Sequence, residues 1–268
     1  MKNINRLTTH FKFPDSEIRL SETAECLKKN IEINFFDNID IILESPTELE
    51  VSTINKLAKK SKSKTKVSIH FSKKRLTFRE IFRECNFNPN EIHYVTNSDI
   101  HFTNDILSMS KIYPLLNSGI VLCQHRYNKT KSGKIIFEAT PPIPGGLYSG
   151  SADSFIFKTP IEFGVDFSFF PGTSYCDQHI SKLLFNNQRA PISICDISCI
   201  HLHSEKINEL GRVTDEDYSC PADKHCKKNQ PVQHLKDPRL SVLEAYITKL
   251  PSQNTFSTFG SCRIVSIT

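Results

Sequence analysis

"HYVTNSDIHF", residues 93–102, runs from an apolar pair, Tyr94 and Val95, straight into Asn97, Ser98 and Asp99, with His101 two residues after the aspartate. Two readings fit. One is a turn, because Asn, Ser and Asp bend a chain through short polar side chains. The other is a ligand site at the tip of a sheet, where a carboxylate and an imidazole together suit a divalent ion. The kind of sheet to which this strand belongs decides how much weight the second deserves.

Upstream, two periodicities alternate. "LSETAECLKKN" (20–30) puts Leu20, Ala24 and Leu27 on one helical face, with Ser21 as the expected N-cap. "IDIILE" (39–44) is a β-branched strand, and "TELEVSTINKLAKK" (47–60) is a helix with Leu49, Ile54 and Leu57 roughly on a face. "KVSIHF" (66–71) alternates Val67, Ile69 and Phe71 as a strand does, and "TFREIFRECNF" (77–87) opens with Thr77 and Glu80 in capping-box spacing. "EIHYVT" (91–96) is the next strand, and "NINRLTTHFKF" (3–13) is the candidate for a strand before the first helix. Strands alternating with helices predict an α/β fold with a mostly parallel sheet flanked by helices. In such sheets ligands sit beyond the carboxyl ends of the strands, which is where Asn97–His101 falls.

Composition narrows the function classes. At 268 residues, 38% hydrophobic and 24% charged, the chain has the makeup of a globular protein with a substantial core. No apolar run reaches the ~18 residues of a membrane span, and the N-terminus lacks a signal-peptide core, so a cytoplasmic protein is expected. The nine cysteines are scattered without a CxxC pair and read as free thiols. The net charge of +5 owes much to "KLAKKSKSKTK" (56–66), which has no interleaved aromatic residue and reads as a solvated helix end rather than a nucleic-acid site. Neither GxGxxG nor GxxxxGK followed by Ser or Thr occurs, which disfavours a dinucleotide fold and removes P-loop chemistry.

The second half is less regular. Strands are expected at 119–127, 133–139 and 153–158, a Pro/Gly-dense loop at 140–153, a helix at 175–187, and a β-rich run at 190–203. Residues 212–239 are polar and turn-rich, and 240–250 could form one helix. Acidic and imidazole groups gather at strand ends or helix starts at four points: Asp99 with His101, Asp153, Asp177, and His201 with His203. Such a set suits Mn2+, while Mg2+ would lean more on oxygen. An ion there could offset charge on a leaving diphosphate, and Asp177 could act as general base toward a hydroxyl. Each point alone is also explained by turn chemistry or by a helix dipole.

The order of the motifs adds specificity. "NSDIHF", "LCQHRY", "GSADSFIFK", "CDQHISKLLFNN" and "IHLHSE" follow one another in the chain, and over roughly residues 18–212 this series resembles a glycosyltransferase-like family with the GT-A fold. That family shows an N-S/A-D-I/V-x-F strand end, a short LxRxx strand, a DxWIFK-like strand, a CDNRIA-type helix start and an HLHxS segment. Here Phe155 replaces the family's Trp, Gln178 and His179 replace Asn and Arg, and the DxD equivalent is Asp99-Ile100-His101.

The resemblance implies a metal-dependent, inverting transferase that moves a hexose or deoxyhexose from a nucleotide-diphosphate sugar to a hydroxyl of a glycan acceptor. It implies Mn2+ or Mg2+ at Asp99, His101 and His203 (His201 being the other candidate for the last), and Asp177 as catalytic base. Asp153 would orient the donor sugar or the acceptor, and Arg126 would contact one of them. Arg75, Thr77, Arg79, Asn97 and Ser98, with Asp99, would contact the donor. It implies a transferase domain over residues 1–212. Residues 213–268 then read as a linker or appended lobe that leads near 256 into a further domain of the same polypeptide, or as a last edge strand. A non-catalytic nucleotide-sugar- or glycan-binding domain and a metal-dependent phosphoesterase or nucleotidyltransferase are the alternatives. Cys220, His225, Cys226 and His234 match no standard zinc spacing.

Overall fold

The computed structural model describes residues 3–11, 17–61, 63–85, 88–129, 133–137, 152–161, 165–171, 176, 179–180, 183–184, 190–194, 197–202, 256–259 and 262–265. The first half runs β1 (Ile4–Phe11), α1 (Glu17–Glu32), β2 (Asn38–Glu44), α2 (Glu48–Lys60), β3 (Lys66–Ser72), α3 (Phe78–Cys85) and β4 (Glu91–Asn97). It continues with β5 (Ile100–Phe102), a 3-10 segment (Asn104–Lys111), α4 (Tyr113–Asn117), β6 (Ile120–Lys129) and β7 (Ile135–Phe137). After these come β8 (Ala152–Lys158), β9 (Ala190–Ile194), β10 (Cys199–Leu202), β11 (Phe256–Phe259) and β12 (Cys262–Val265). The class is α/β, as the alternation predicts.

β1 lies parallel between β2 and β4, and β3 pairs parallel with β2. The chain therefore moves outward from β1 to β3 and then crosses back to β4 on the other side. Right-handed crossovers put α1 and α2 on one face and α3 on the opposite one. The packing follows: Leu27, Ile31 and Ile54 join Leu7, Ile39, Ile41 and Tyr94 in one core cluster. Phe78, Ile81 and Phe82 of α3 join Val95, Phe155 and Phe157 in the other. Tyr94 and Val95 are neighbours in sequence and face opposite cores, as strand alternation requires. The reversal of strand order at β1 and β4 opens a crevice at their carboxyl ends.

The whole sheet has the order β11-β12-β9-β6-β8-β4-β1-β2-β3, with β8 antiparallel to both β4 and β6. β6 serves two sheets. Residues from Leu122 to His125 pair with β8, with an irregularity at Gln124/His125, and residues from Arg126 to Lys129 pair with β10, which also pairs antiparallel with β5. β12 runs parallel to β9 at the sheet's margin. Among the described residues, no helix is long and apolar enough to cross a membrane. Cys26, Cys123, Cys176 and Cys199 are buried thiols.

Two local expectations need correction. Ser21 does not cap the first helix: α1 starts at Glu17, so Ser21 lies within it. The β-rich run at 190–203 divides into β9 and β10, which join different sheets. Thr77 and Glu80 do exchange capping bonds: the Glu80 carboxylate accepts from the Thr77 N–H (2.9 Å), and Thr77 Oγ1 accepts from the Glu80 N–H (3.3 Å). A second capping box starts α2, where Thr47 Oγ1 accepts from the Glu50 N–H and the Glu50 carboxylate accepts from the Thr47 N–H. Thr47→Ala is expected to lower stability by about 1 kcal/mol in urea unfolding; an unchanged midpoint would show that the box contributes nothing. The expected linker at 213–239 and helix at 240–250 lie outside the described residues.

His93 makes the sheet acid-sensitive. Its side chain is 1% exposed, and the ring lies flat on Phe157 (5.8 Å, 11°) with Nε2 3.3 Å from Glu91 Oε2. Burial pushes its pKa down to about 4; the charges of Glu91 and Asp40 oppose this and that of Arg6 reinforces it. Between that value and ~6.5, the unfolded imidazole binds a proton that the folded one refuses, so stability falls as pH falls through this window. His93→Phe should keep the stacking and remove about 2–3 kcal/mol of the stability loss between pH 7 and pH 4.5. Urea midpoints at the two pH values test this, and equal losses in both proteins would place the acid sensitivity elsewhere.

Candidate functional site

The crevice at the strand ends holds a cavity of about 320 Å³. Its polar wall comes from consecutive carboxyl ends: His10 near the end of β1, Glu44 at the end of β2, Asn97 at the end of β4, then Ser98 and Asp99. Asp153 reaches the same edge because β8 is antiparallel and begins where β4 finishes. Arg75 closes one side, and Phe78, Ile81, Val95 and Phe155 form an apolar floor.

Asp99 occupies the turn between β4 and β5. Its Oδ2 accepts from Arg19 Nη2 at 2.6 Å and sits 3.1 Å from His201 Nε2, while its main-chain oxygen accepts from the Leu202 N–H at 3.1 Å. Arg19, in α1, also donates to Glu22 (2.8 Å) and to the Leu202 carbonyl (3.0 Å). His201 Nδ1 is 2.9 Å from Asn128 Oδ1. Burial alone would raise the Asp99 pKa, but the bonds and charges of His201 and Arg19 outweigh it and hold the carboxyl well below the usual range.

Asp153 is a different acid. Its oxygens accept from Asn97 Nδ2 (2.7 Å) and Arg126 Nη1 (3.1 Å). Burial pushes its pKa up, and the Asp99 charge adds to this; Arg126, His201 and the Asn97 bond oppose them without cancelling the rise. Two neighbouring carboxyls are thus pushed apart in acidity by their surroundings, a frequent property of functional sites.

The structure sorts the other sequence-derived residues. Asn97, Ser98, Asp99, Asp153 and Arg75 line one cavity, and Arg126 joins them through Asp153. His101 does not face it. Residues 98–99 form a turn, so the strand parity that would have put His101 beside Asp99 is broken. Its ring lies near Lys29 instead (Nε2 to Nζ, 3.4 Å), and burial pushes its pKa down to about 4. Thr77 and Arg79 line a neighbouring cleft with Lys74, Ser168 and Phe170, and Arg75 borders both spaces. The Arg75 guanidinium donates to the Pro171 carbonyl and lies 5.4 Å over the Phe170 ring. Asp177 and His203 lie outside the described residues; Cys176 and Ile180, which flank Asp177, are buried in the core beneath α3.

Reading the sequence missed Arg19, Asn128, His10 and Glu44. The last two were accessible, because each stands at or near the carboxyl end of a predicted parallel strand. Arg19 left no local signal, since its partner is far along the chain. Among the described residues, no three His, Cys, Asp or Glu side chains form a group that could hold a metal ion. The described donor set therefore does not fit the implied ion: Asp99 Oδ2 is already engaged by Arg19 and His201.

No protein-family model matches the chain, and no curated protein matches it. Among solved structures, a mannosyltransferase from Pyrobaculum calidifontis in complex with GDP-Man and Mn2+ overlaps 79% of this chain at 10% identity and a TM-score of 0.49. S. aureus TarS 1-349 in complex with UDP overlaps 76% at 13% identity and a TM-score of 0.41. A 4-diphosphocytidyl-2C-methyl-D-erythritol synthase from Anaerococcus prevotii overlaps 84% of this chain and 99% of its own at 11% identity and a TM-score of 0.39. The chain spans 59% of the mannosyltransferase and 58% of the TarS fragment.

Proposed function

We propose that this chain binds a nucleotide-diphosphate sugar and transfers the sugar, with inversion, to a hydroxyl of a glycan acceptor. The observation that carries the proposal is the cavity at the switch between β1 and β4, where Asn97, Ser98, Asp99 and Asp153 converge from motifs far apart in the chain. The acceptor oxygen attacks the anomeric carbon, the bond from that carbon to the phosphate oxygen breaks, and the nucleoside diphosphate departs. Asp177 takes the acceptor proton. Asp153, fixed by Asn97 and Arg126, orients the sugar, while Arg75 faces the anionic part of the donor. Residues 1–212 would form the transferase unit, whose sheet β11 and β12 extend beyond β9, and 213–268 would otherwise lead toward a further part of the same polypeptide. The resemblance also implies Mn2+ on Asp99 with His203, a set that the described residues do not supply.

A thermal-shift screen tests the reading with UDP, GDP, UDP-GlcNAc and GDP-Man, each with EDTA and with Mn2+. At a hundred times Kd, a ligand specific to the folded state stabilises by about 2.7 kcal/mol. The expected result is a shift with one nucleotide class and a glycosylated product by mass spectrometry. The absence of any shift would sink the proposal. Binding without transfer or donor hydrolysis would favour a non-catalytic domain, 18O incorporation from water at phosphorus would favour a phosphoesterase, and pyrophosphate release from a nucleoside triphosphate would favour a nucleotidyltransferase.

A further inference from the structure

We propose that Arg19, a built-in counter-charge behind Asp99, takes over the charge compensation that the resemblance assigns to a divalent ion, so that a nucleoside diphosphate binds this cavity without Mn2+. The inference rests on the nucleotide-sugar reading for its ligand, although its geometric part stands without it.

Arg19 is held firmly. It lies in the first turn of α1, and its guanidinium is fixed from three sides by Asp99 Oδ2 (2.6 Å), Glu22 (2.8 Å) and the Leu202 carbonyl (3.0 Å). Only 16% of its side chain is exposed. A guanidinium that donates to two carboxylates and a carbonyl is a fixed structural element rather than a surface residue that drifts in and out. His201 adds a second N–H-bearing ring against the same oxygen, itself braced by Asn128. A cation on that oxygen would have to displace both.

The same pattern extends around the cavity. Asp99 has Arg19, Asp153 has Arg126 at 3.1 Å, and Glu44 has His10 at 3.6 Å. The two aspartates of the wall thus each carry an arginine from the chain itself, while Glu44 Oε2 and His10 Nε2 stand beyond hydrogen-bond distance of each other. A diphosphate entering here meets two compensated aspartates, and Arg75 in the cavity wall supplies positive charge for it. Arg19 neutralises Asp99 from behind, outside the lining of the cavity. It is therefore a positioning residue and does not touch the ligand.

The test uses the full chain. Free Mn2+ is titrated by electron paramagnetic resonance in wild type, Arg19→Gln and the double variant Arg19→Gln/Asp99→Asn, and UDP and GDP affinities are measured by calorimetry in EDTA and in Mn2+. Wild type is expected to bind its nucleotide equally in both buffers. Arg19→Gln is expected to take up Mn2+ about tenfold more tightly than wild type, with the gain lost in the double variant. Arg19→Lys keeps the charge without the guanidinium; if the Gln variant melts early, Lys should still bind Mn2+ no better than wild type. Asp99-dependent Mn2+ uptake by wild type equal to that of Arg19→Gln would overturn the proposal, as would nucleotide affinity that rises about tenfold with Mn2+. Failure of any nucleotide to bind in either buffer would remove the donor reading and the nucleotide half of this one, while the Mn2+ comparison alone would still decide the role of Arg19.

Discussion

Asp177→Asn is expected to leave nucleotide binding intact and to slow sugar transfer about 10²–10⁴-fold, the range that a well-placed general base contributes. The asparagine keeps the size of the side chain and removes its capacity to accept a proton, so the loss should appear in kcat and not in donor affinity. Cys176 and Ile180 on either side are 4% and 0% exposed, and His179 packs against Phe169 with ring centroids 4.7 Å apart. The described residues on either side are thus anchored, and a conservative change at position 177 should not unfold the protein. Calorimetry with UDP or GDP alongside single-turnover transfer from UDP-GlcNAc or GDP-Man separates the outcomes. Transfer at the wild-type rate would place the base elsewhere, and Asp153, whose surroundings raise its pKa, would be the next residue to test.

Phe82→Ala is expected to cost about 3–5 kcal/mol, enough to approach the whole stability of many domains. Phe82 is fully buried, and its ring meets Phe78 (5.7 Å), Phe155 (6.0 Å), Phe157 (5.6 Å) and Phe167 (6.3 Å), mostly edge to face. Through Phe78 and Ile81, α3 also supplies the cavity floor, so the variant should lose nucleotide affinity along with stability. Phe82→Leu, which refills most of the volume, should cost far less. Urea unfolding of both variants checks the pair, and equal losses would mean that ring geometry rather than volume carries the stabilisation.

The sequence revealed the first half of the fold because strand and helix periods alternate there with clear punctuation. The parallel sheet and the placement of Asn97–Asp99 at its carboxyl edge both follow from that pattern. Ser21 failed as a cap signal because a Ser near the start of an apolar face says nothing about turns that extend beyond it; α1 gains a further turn through Glu17 and Arg19. Thr47 with Glu50 was as legible as Thr77 with Glu80, since both obey the same spacing. The imidazole beside Asp99 was legible only in part. His101 was attractive because it follows Asp99 by two residues, but that period holds within a strand, and the turn at 98–99 interrupts it; His203, which the resemblance offered, lies outside the described residues. His201 reaches Asp99 through the pairing of β10 with β5, a contact set by register between distant segments, which local pattern does not encode.

The strand order also bears on how the chain reaches this structure. β1, made first, gains one neighbour quickly in β2, but its other edge stays open until β4 emerges, and β4 in turn waits for β8. Long-range parallel pairing of this kind folds slowly, because the loop must close before the contacts reward it. A nascent chain ending anywhere between β3 and β4 would display an unpaired edge of β1 bearing Leu7 and Phe11, an invitation to aggregate. Yield on expression should therefore depend on chaperone capacity and growth temperature more steeply than equilibrium stability would suggest.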